Sequence, residues 1–237
     1  MSCLPPLKSI SDKTGIQGLL SLPGYPANSS PFRMQRQKRQ MKKIFYIMGK
    51  SATGKDHIYR ALAEDPELDL SRLVLYTTRP RREKEENGRE YFFTDQERLQ
   101  QLRTEGKVIE ERVYHTVSGD WYYFTADEGQ IDLKQRNYLG IGTLESYERR
   151  REYFGGGQLV PIYIETEDGL RLERALKREK KQKNPNYEEL CRRYLADCAD
   201  FSPERITEAG IERRFSNNGT LEACVENVKH YVRCFLS

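Results

Sequence analysis

Long apolar runs are missing from this 237-residue chain. No stretch approaches the roughly 18 to 20 apolar residues that a helical membrane span requires, and Leu19, Leu20 and Leu22 are too few for a signal-peptide core. A cytoplasmic protein with no membrane partner is the expectation. Cysteine is sparse: Cys3, Cys191, Cys198, Cys224 and Cys234 form no CxxC pair and have no histidines at metal-ligand spacing. That pattern argues against a zinc site and a disulfide framework and for reduced structural thiols. Cys191 and Cys198, seven apart, would share one helix face and pack inward. A basic excess is missing too, once the chain is divided. The first 40 residues hold six cations and one acid, which leaves 34 cations and 35 acids for the remainder, so the formal +4 belongs to the leader. That leader also holds five of the ten prolines, with Ser and Gly between them and no sustained periodicity, and reads as a disordered extension over 1–40. Its basic run at 33–43 could touch polyanions, but a solvated leader is the simpler reading and no specific nucleic-acid partner is expected.

What is present is an alternation of strands and helices. Apolar runs at 43–48, 72–76, 91–93, 108–113, 121–124, 138–141, 160–164 and 211–215 have strand length. Helical segments fall at 55–64, 95–103, 126–134, 167–181, 187–200 and 220–235, with another ending at Gly155-Gly156-Gly157. There are no internal repeats. Such alternation implies a three-layer α/β domain over 41–237 with a mainly parallel sheet.

One segment carries specific chemistry. Gly49-Lys50-Ser51-Ala52-Thr53-Gly54-Lys55-Asp56 fits GxxxxGK, directly after a strand and at the opening of a helix, which is the context a P-loop NTPase fold demands. Gly49 and Gly54 let the backbone wrap phosphate oxygens, the helix N-terminus favours anions, and Lys55 brings charge to the β and γ phosphates. A nucleoside triphosphate is therefore the expected ligand. Asp56 stands where the motif has a hydroxyl that ligates Mg²⁺. As a hard oxygen ligand it could hold the metal, and as an acid in the first helical turn it could simply complement the dipole.

The stretch from Tyr76-Thr77-Thr78-Arg79-Pro80-Arg81-Arg82 through Glu85, Gly88 and Tyr91 to Phe93 resembles the monophosphate-binding segment of guanylate kinases, with TTR, R, E, G and tyrosine at that family's spacing. Two guanidinium forks beside a phenol suit a phosphate dianion. The resemblance implies that Arg79, Arg82, Tyr91 and Tyr123 hold the acceptor phosphate, within a monophosphate-binding part at about 75–125. It implies further that Glu110 accepts from the guanine edge, with Thr125 where the family has serine. Glu111 offers Glu110 an alternative register. The resemblance also gives Arg174, Arg178 and Arg193 to a mobile lid at about 170–200 that closes on the triphosphate, and sets Asn217 against the adenine. A solvated basic face is the alternative account of those arginines.

Two departures from the family concern the base. Leu75 stands where the family has a serine that helps read guanine, and Gly142 where it has an aspartate near base and metal; Glu145 is close enough in sequence to reach the same space. The implied reaction is transfer of the γ phosphoryl of ATP, with Mg²⁺, to a nucleoside monophosphate, GMP first. Two rivals remain open: a kinase for another phosphorylated acceptor, either another nucleotide or a sugar phosphate, and a non-catalytic module that binds phosphopeptides. Retention of Lys55 and both loop glycines speaks against the second.

Overall fold

The computed structural model describes residues 41–116 and 119–236; the expected leader at 1–40 lies outside them. A five-stranded, all-parallel sheet has the order β2-β7-β1-β8-β9, from β1 (Ile44–Met48), β2 (Leu70–Arg72), β7 (Asn137–Gly142), β8 (Leu159–Glu165) and β9 (Arg214–Ser216). β1 is central and wholly buried, as its unbroken IFYIM run requires of a strand covered on both faces. Its side chains alternate. Ile44, Tyr46 and Met48 pack with Leu144 and Tyr147 of α3 (Leu144–Phe154) and with Ile206 of α6 (Pro203–Glu208). Phe45 and Ile47 pack with Ile58 and Leu62 of α1 (Lys55–Ala63) and with Val228 and Val232 of α7 (Leu221–Leu236). Helices on both faces of a parallel sheet give the three-layer α/β arrangement expected of the sequence. Each fully buried side chain of this size contributes about 1.5–3 kcal/mol.

A second sheet, ordered β4-β3-β6-β5, comprises β3 (Leu75–Thr77), β4 (Tyr91–Phe93), β5 (Val108–Thr116) and β6 (Gly119–Ala126). β5 and β6 form an antiparallel pair, and α2 (Gln96–Thr104), capped by the Asp95 carboxylate, buries Leu99 and Leu102 against Tyr76, Phe124 and Ala126. Two more helices, α4 (Asp168–Glu179) and α5 (Tyr187–Asp200), follow β8.

Several expectations need correction. The strand expected at 72–76 divides: β2 joins the large sheet and β3 the small one, because Leu73 N–H donates to Leu139 O and holds the chain at the boundary. No helix forms over 126–134. Gly129 sits at φ 89°, the Gln130 amide donates to Ala126 O, and Asp127 and Asp132 accept from backbone amides two residues on, so local side-chain bonds win over the helix. α6 is a helix beyond those expected, although Ser202 capping and Pro203 at its first turn are a helix-start signal. The last strand begins at Arg214, since Ile211 N–H closes back onto Ile206 O. On α5 no residue is fully buried; Cys191 is exposed and Cys198 half-buried, contrary to the inward packing expected of the pair.

Gly140 and Gly142 of β7 make room for one side chain. A Cβ on Gly140 would lie 2.6 Å from Tyr46 Cδ2, and one on Gly142 would strike the Tyr46 hydroxyl. Tyr46 cannot retreat, because its hydroxyl is held at 2.6 Å from Ser146 Oγ and accepts from Arg150 Nη1. Gly140→Ala is therefore expected to destabilise the fold by about 1–3 kcal/mol through overpacking. Urea denaturation measures it, and an unchanged midpoint would show that the ring has space to move.

Candidate functional site

Met48 ends β1 inside the sheet, and the chain must turn at once to reach α1. Gly49 permits this because a Cβ would come 2.5 Å from Ile164 O; Gly54, at φ 88°, has Asn217 Nδ2 equally close. Ala52 takes a left-handed φ of 65°, a conformation costly for an alanine and often found at functional loops. The loop is held from beneath: buried Thr53 donates its hydroxyl to Lys50 O at 2.8 Å, and buried Asn217 donates Nδ2 to Thr53 O at 2.7 Å. α1 has no side-chain cap, which leaves its N-terminus available to an anion. Lys55 opens that helix, and Asp56 is an exposed acid in its first turn.

Beside this loop lies a cleft of 350 Å³ lined by Ala52, Gly54, Asp56, Arg174, Arg178 and Asn217. The structure thus brings the expected lid arginines of α4 together with the loop and with Asn217. Arg193 of α5 pairs with Glu189 on its own helix and shares a second cleft with Ser51 and Arg178. Two residues of α4 and α5 that the sequence did not single out as functional reach further. Asp197 of α5 accepts from Ser51 N–H at 2.7 Å, placing a carboxylate on the loop backbone. Arg171, which looked like one of many solvated cations, is 1% exposed, pairs with Asp168 and Asp197, and lies 3.9 Å from the Tyr194 ring centre. Lys50 is tied to the same corner through Asp168 at 3.3 Å.

The other half of the site is the small sheet. Arg79 is buried, donates to both oxygens of Glu85 and, through Nε, to the Tyr123 hydroxyl, and lies 5.2 Å from the Tyr91 ring centre. Its guanidinium, with the Arg82 amide, holds the Glu85 carboxyl down at about 2. The spacing of Arg79, Glu85 and Tyr91 therefore has a local physical sense: the acid fixes the fork that the tyrosines flank. The Arg82 side chain is exposed. A cleft of 520 Å³ opens beside this cluster, lined by Leu75, Tyr91, Arg112, Trp121, Tyr123 and Gly142 among others.

Glu110, not Glu111, faces inward. A bulge between Val108 and Glu110 sets the register, and Glu111 pairs outward with Arg103. Glu110 is not among the residues lining the cleft; its side chain is 4% exposed, and its Oε1 accepts from Thr125 Oγ1 at 3.0 Å and from Arg150 Nη2 at 2.7 Å. Arg150 of α3 is completely buried and also donates to the Tyr46 and Thr125 hydroxyls. Burial pushes the Tyr46 phenol up, although Arg150 pulls it the other way. Tyr46 and Ser146 fill the space above Gly142 that Glu145 was expected to reach, and Glu145 is exposed. Nothing in the run Glu148-Arg149-Arg150-Arg151-Glu152 marks Arg150, since three adjacent arginines read as a wet helix face; only its place four residues after buried Ser146 hints otherwise.

Among the described residues no group of three or more His, Cys, Asp or Glu could hold a metal, and no helix is long and apolar enough to cross a membrane. A guanylate kinase family model matches residues 41–128. Guanylate kinase of Porphyromonas gingivalis is 26% identical over 200 residues, covering 83% of this chain and 100% of that protein. That of Mycoplasma mobile is 29% identical over 206 residues, covering 81% and 92%. A crystal structure of guanylate kinase from Anaplasma phagocytophilum aligns with 82% of this chain and 86% of its own at 19% identity and a TM-score of 0.49.

Removing Arg150 would leave the buried Glu110 carboxylate without its hydrogen-bonded cation, with only Arg112 at 3.6 Å. Arg150→Met is expected to cost about 3–5 kcal/mol in urea denaturation, and adding Glu110→Gln should recover part of that loss. Wild-type stability in the single variant would show that the pair carries no weight.

Proposed function

From the likeness to guanylate kinases we propose that this chain is a member of that family and catalyses the ATP-dependent phosphorylation of GMP to GDP. The observation that carries the reading is the adjacency of the two clefts. Gly142, at the edge of the 520 Å³ cleft, is the register partner of Met48, the residue before the phosphate loop. An acceptor in one cleft and a triphosphate on the loop would meet end to end.

The chemistry asks for charge and alignment. The second pKa of a phosphate monoester is near 6, so the attacking oxygen is already anionic at neutral pH and no general base is needed. In this reading the loop amides and Lys55 hold the β and γ phosphates, while Arg174, Arg178 and Arg193 close over the triphosphate and neutralise charge spread over the transferring group. Arg79, Arg82, Tyr91 and Tyr123 hold the acceptor phosphate in line, and Asn217 lies against the adenine. Glu110, anchored by Arg150 and Thr125, accepts from the N–H groups of guanine. Mg²⁺ suits Asp56, because this ion is commonly held through one or two carboxylates plus substrate phosphates. The metal would supply further neutralisation of phosphate charge. A cytoplasmic location belongs to the same reading, in keeping with the free thiols of Cys191, Cys198, Cys224 and Cys234.

The test is a coupled ADP-release assay over GMP, AMP, IMP, CMP and UMP. GMP is expected to have the highest kcat/KM. Lys55→Ala is expected to lose about 10²- to 10³-fold in kcat with an unchanged melting temperature, as when an electrostatic stabiliser is removed. Transfer to another acceptor in preference to GMP would overturn the base assignment, and retention of more than about a tenth of the activity in Lys55→Ala would overturn the role of the loop.

A further inference from the structure

Among the described residues Arg112 is the only charged side chain lining the 520 Å³ acceptor cleft, and its ion-pair partner is Glu110. It follows Glu110 by two residues on β5, so both side chains project to the same face of the strand. Its Nε is buried without a hydrogen-bond partner and stands 3.6 Å from Glu110 Oε2, beyond hydrogen-bonding range. The Glu110 charge is already met by Arg150 at 2.7 Å. One carboxylate between two guanidinium groups leaves a net positive charge beside the cleft, which Arg112 lines together with Leu75 and Gly142, neither of which offers a polar side chain.

A half-buried cation with spare N–H donors selects a ligand that presents acceptors there. Among purine monophosphates the 6-oxo bases present a carbonyl at position 6, next to N7, and a guanidinium matches that edge; a 6-amino base presents a donor instead. We infer that Arg112 is a specificity-determining residue whose guanidinium donates to the 6-oxo group of the acceptor purine, restoring from β5 the polar reading absent at Leu75 and Gly142. This inference rests on the proposed transfer to GMP. It differs from a phosphate contact, which every monophosphate would share.

The experiment compares wild type, Arg112→Met and Arg112→Lys for kcat/KM with GMP, IMP, AMP and 2-aminopurine riboside monophosphate, the last of which keeps the 2-amino group and lacks the 6-oxo. Arg112→Met keeps the apolar stem of the side chain. It is expected to lower kcat/KM for GMP and IMP by roughly ten- to a hundred-fold, while AMP and 2-aminopurine riboside monophosphate change by less than about two-fold. Arg112→Lys, which keeps the charge and loses the fork, should fall between for the two 6-oxo acceptors, and it carries the test if the methionine variant melts below assay temperature. Equal losses for all four acceptors would make Arg112 a phosphate ligand and overturn the inference, as would an unchanged ratio of GMP to AMP. A wild type that does not prefer 6-oxo acceptors would overturn the functional reading and the inference together, whereas a GMP-preferring wild type whose preference survives both substitutions would overturn the inference alone.

Discussion

One buried guanidinium joins the two sheets. Arg150, on α3, reaches Tyr46 in the central strand, Glu110 and Thr125 in the small sheet, and the carbonyl of Ser146 below it. A charge taken from water this completely is tolerable only where hydrogen bonds and a counter-charge replace the lost hydration. Here four oxygens do so, and two of them belong to the small sheet. Tyr46 lies two residues before Met48, so the strand that leads into the glycine loop is linked through one side chain to the small sheet. The bare glycines of β7 are part of the same constraint, since Gly140 and Gly142 leave the space that Tyr46 occupies.

A second set of charges acts at the loop from the opposite side. Asp197 on the Ser51 amide, Asp168 on Lys50, and Arg171 between the two acids fasten α4 and α5 to the outer part of the loop. These contacts involve neither Lys55 nor the first turn of α1. They also keep Arg174 and Arg178 at the neighbouring cleft, where a triphosphate would need them. The small sheet repeats this logic at Arg79, whose fork is set by Glu85 and flanked by two tyrosines.

The parts legible in the sequence are those written locally. The phosphate loop is eight consecutive residues whose glycines, lysine and flanking strand and helix each have a separate physical reason. The unbroken apolar run of β1 and the alternation of strand and helix make the layer order legible for the same cause. The parts that were not legible depend on distance along the chain. Arg150 meets Tyr46 across 104 residues and Glu110 across 40, and in its own neighbourhood it is one arginine of three. Asp197 and Arg171 likewise look like surface charges until α5 is laid against the loop. The expected helix over 126–134 failed for a local reason that propensity does not weigh, the competition of Asp127, Gln130 and Asp132 side chains for the backbone.

The central claim is that one chain holds a triphosphate donor and a guanosine monophosphate acceptor end to end. Calorimetric titration with adenosine and guanosine joined through five phosphates measures this directly, because the linked compound fills both clefts only if they face each other at the right separation. The account predicts one molecule bound per chain, at least about a hundred-fold more tightly than ATP or GMP alone, as expected when the second contact becomes intramolecular. Binding no tighter than that of ATP alone would contradict it.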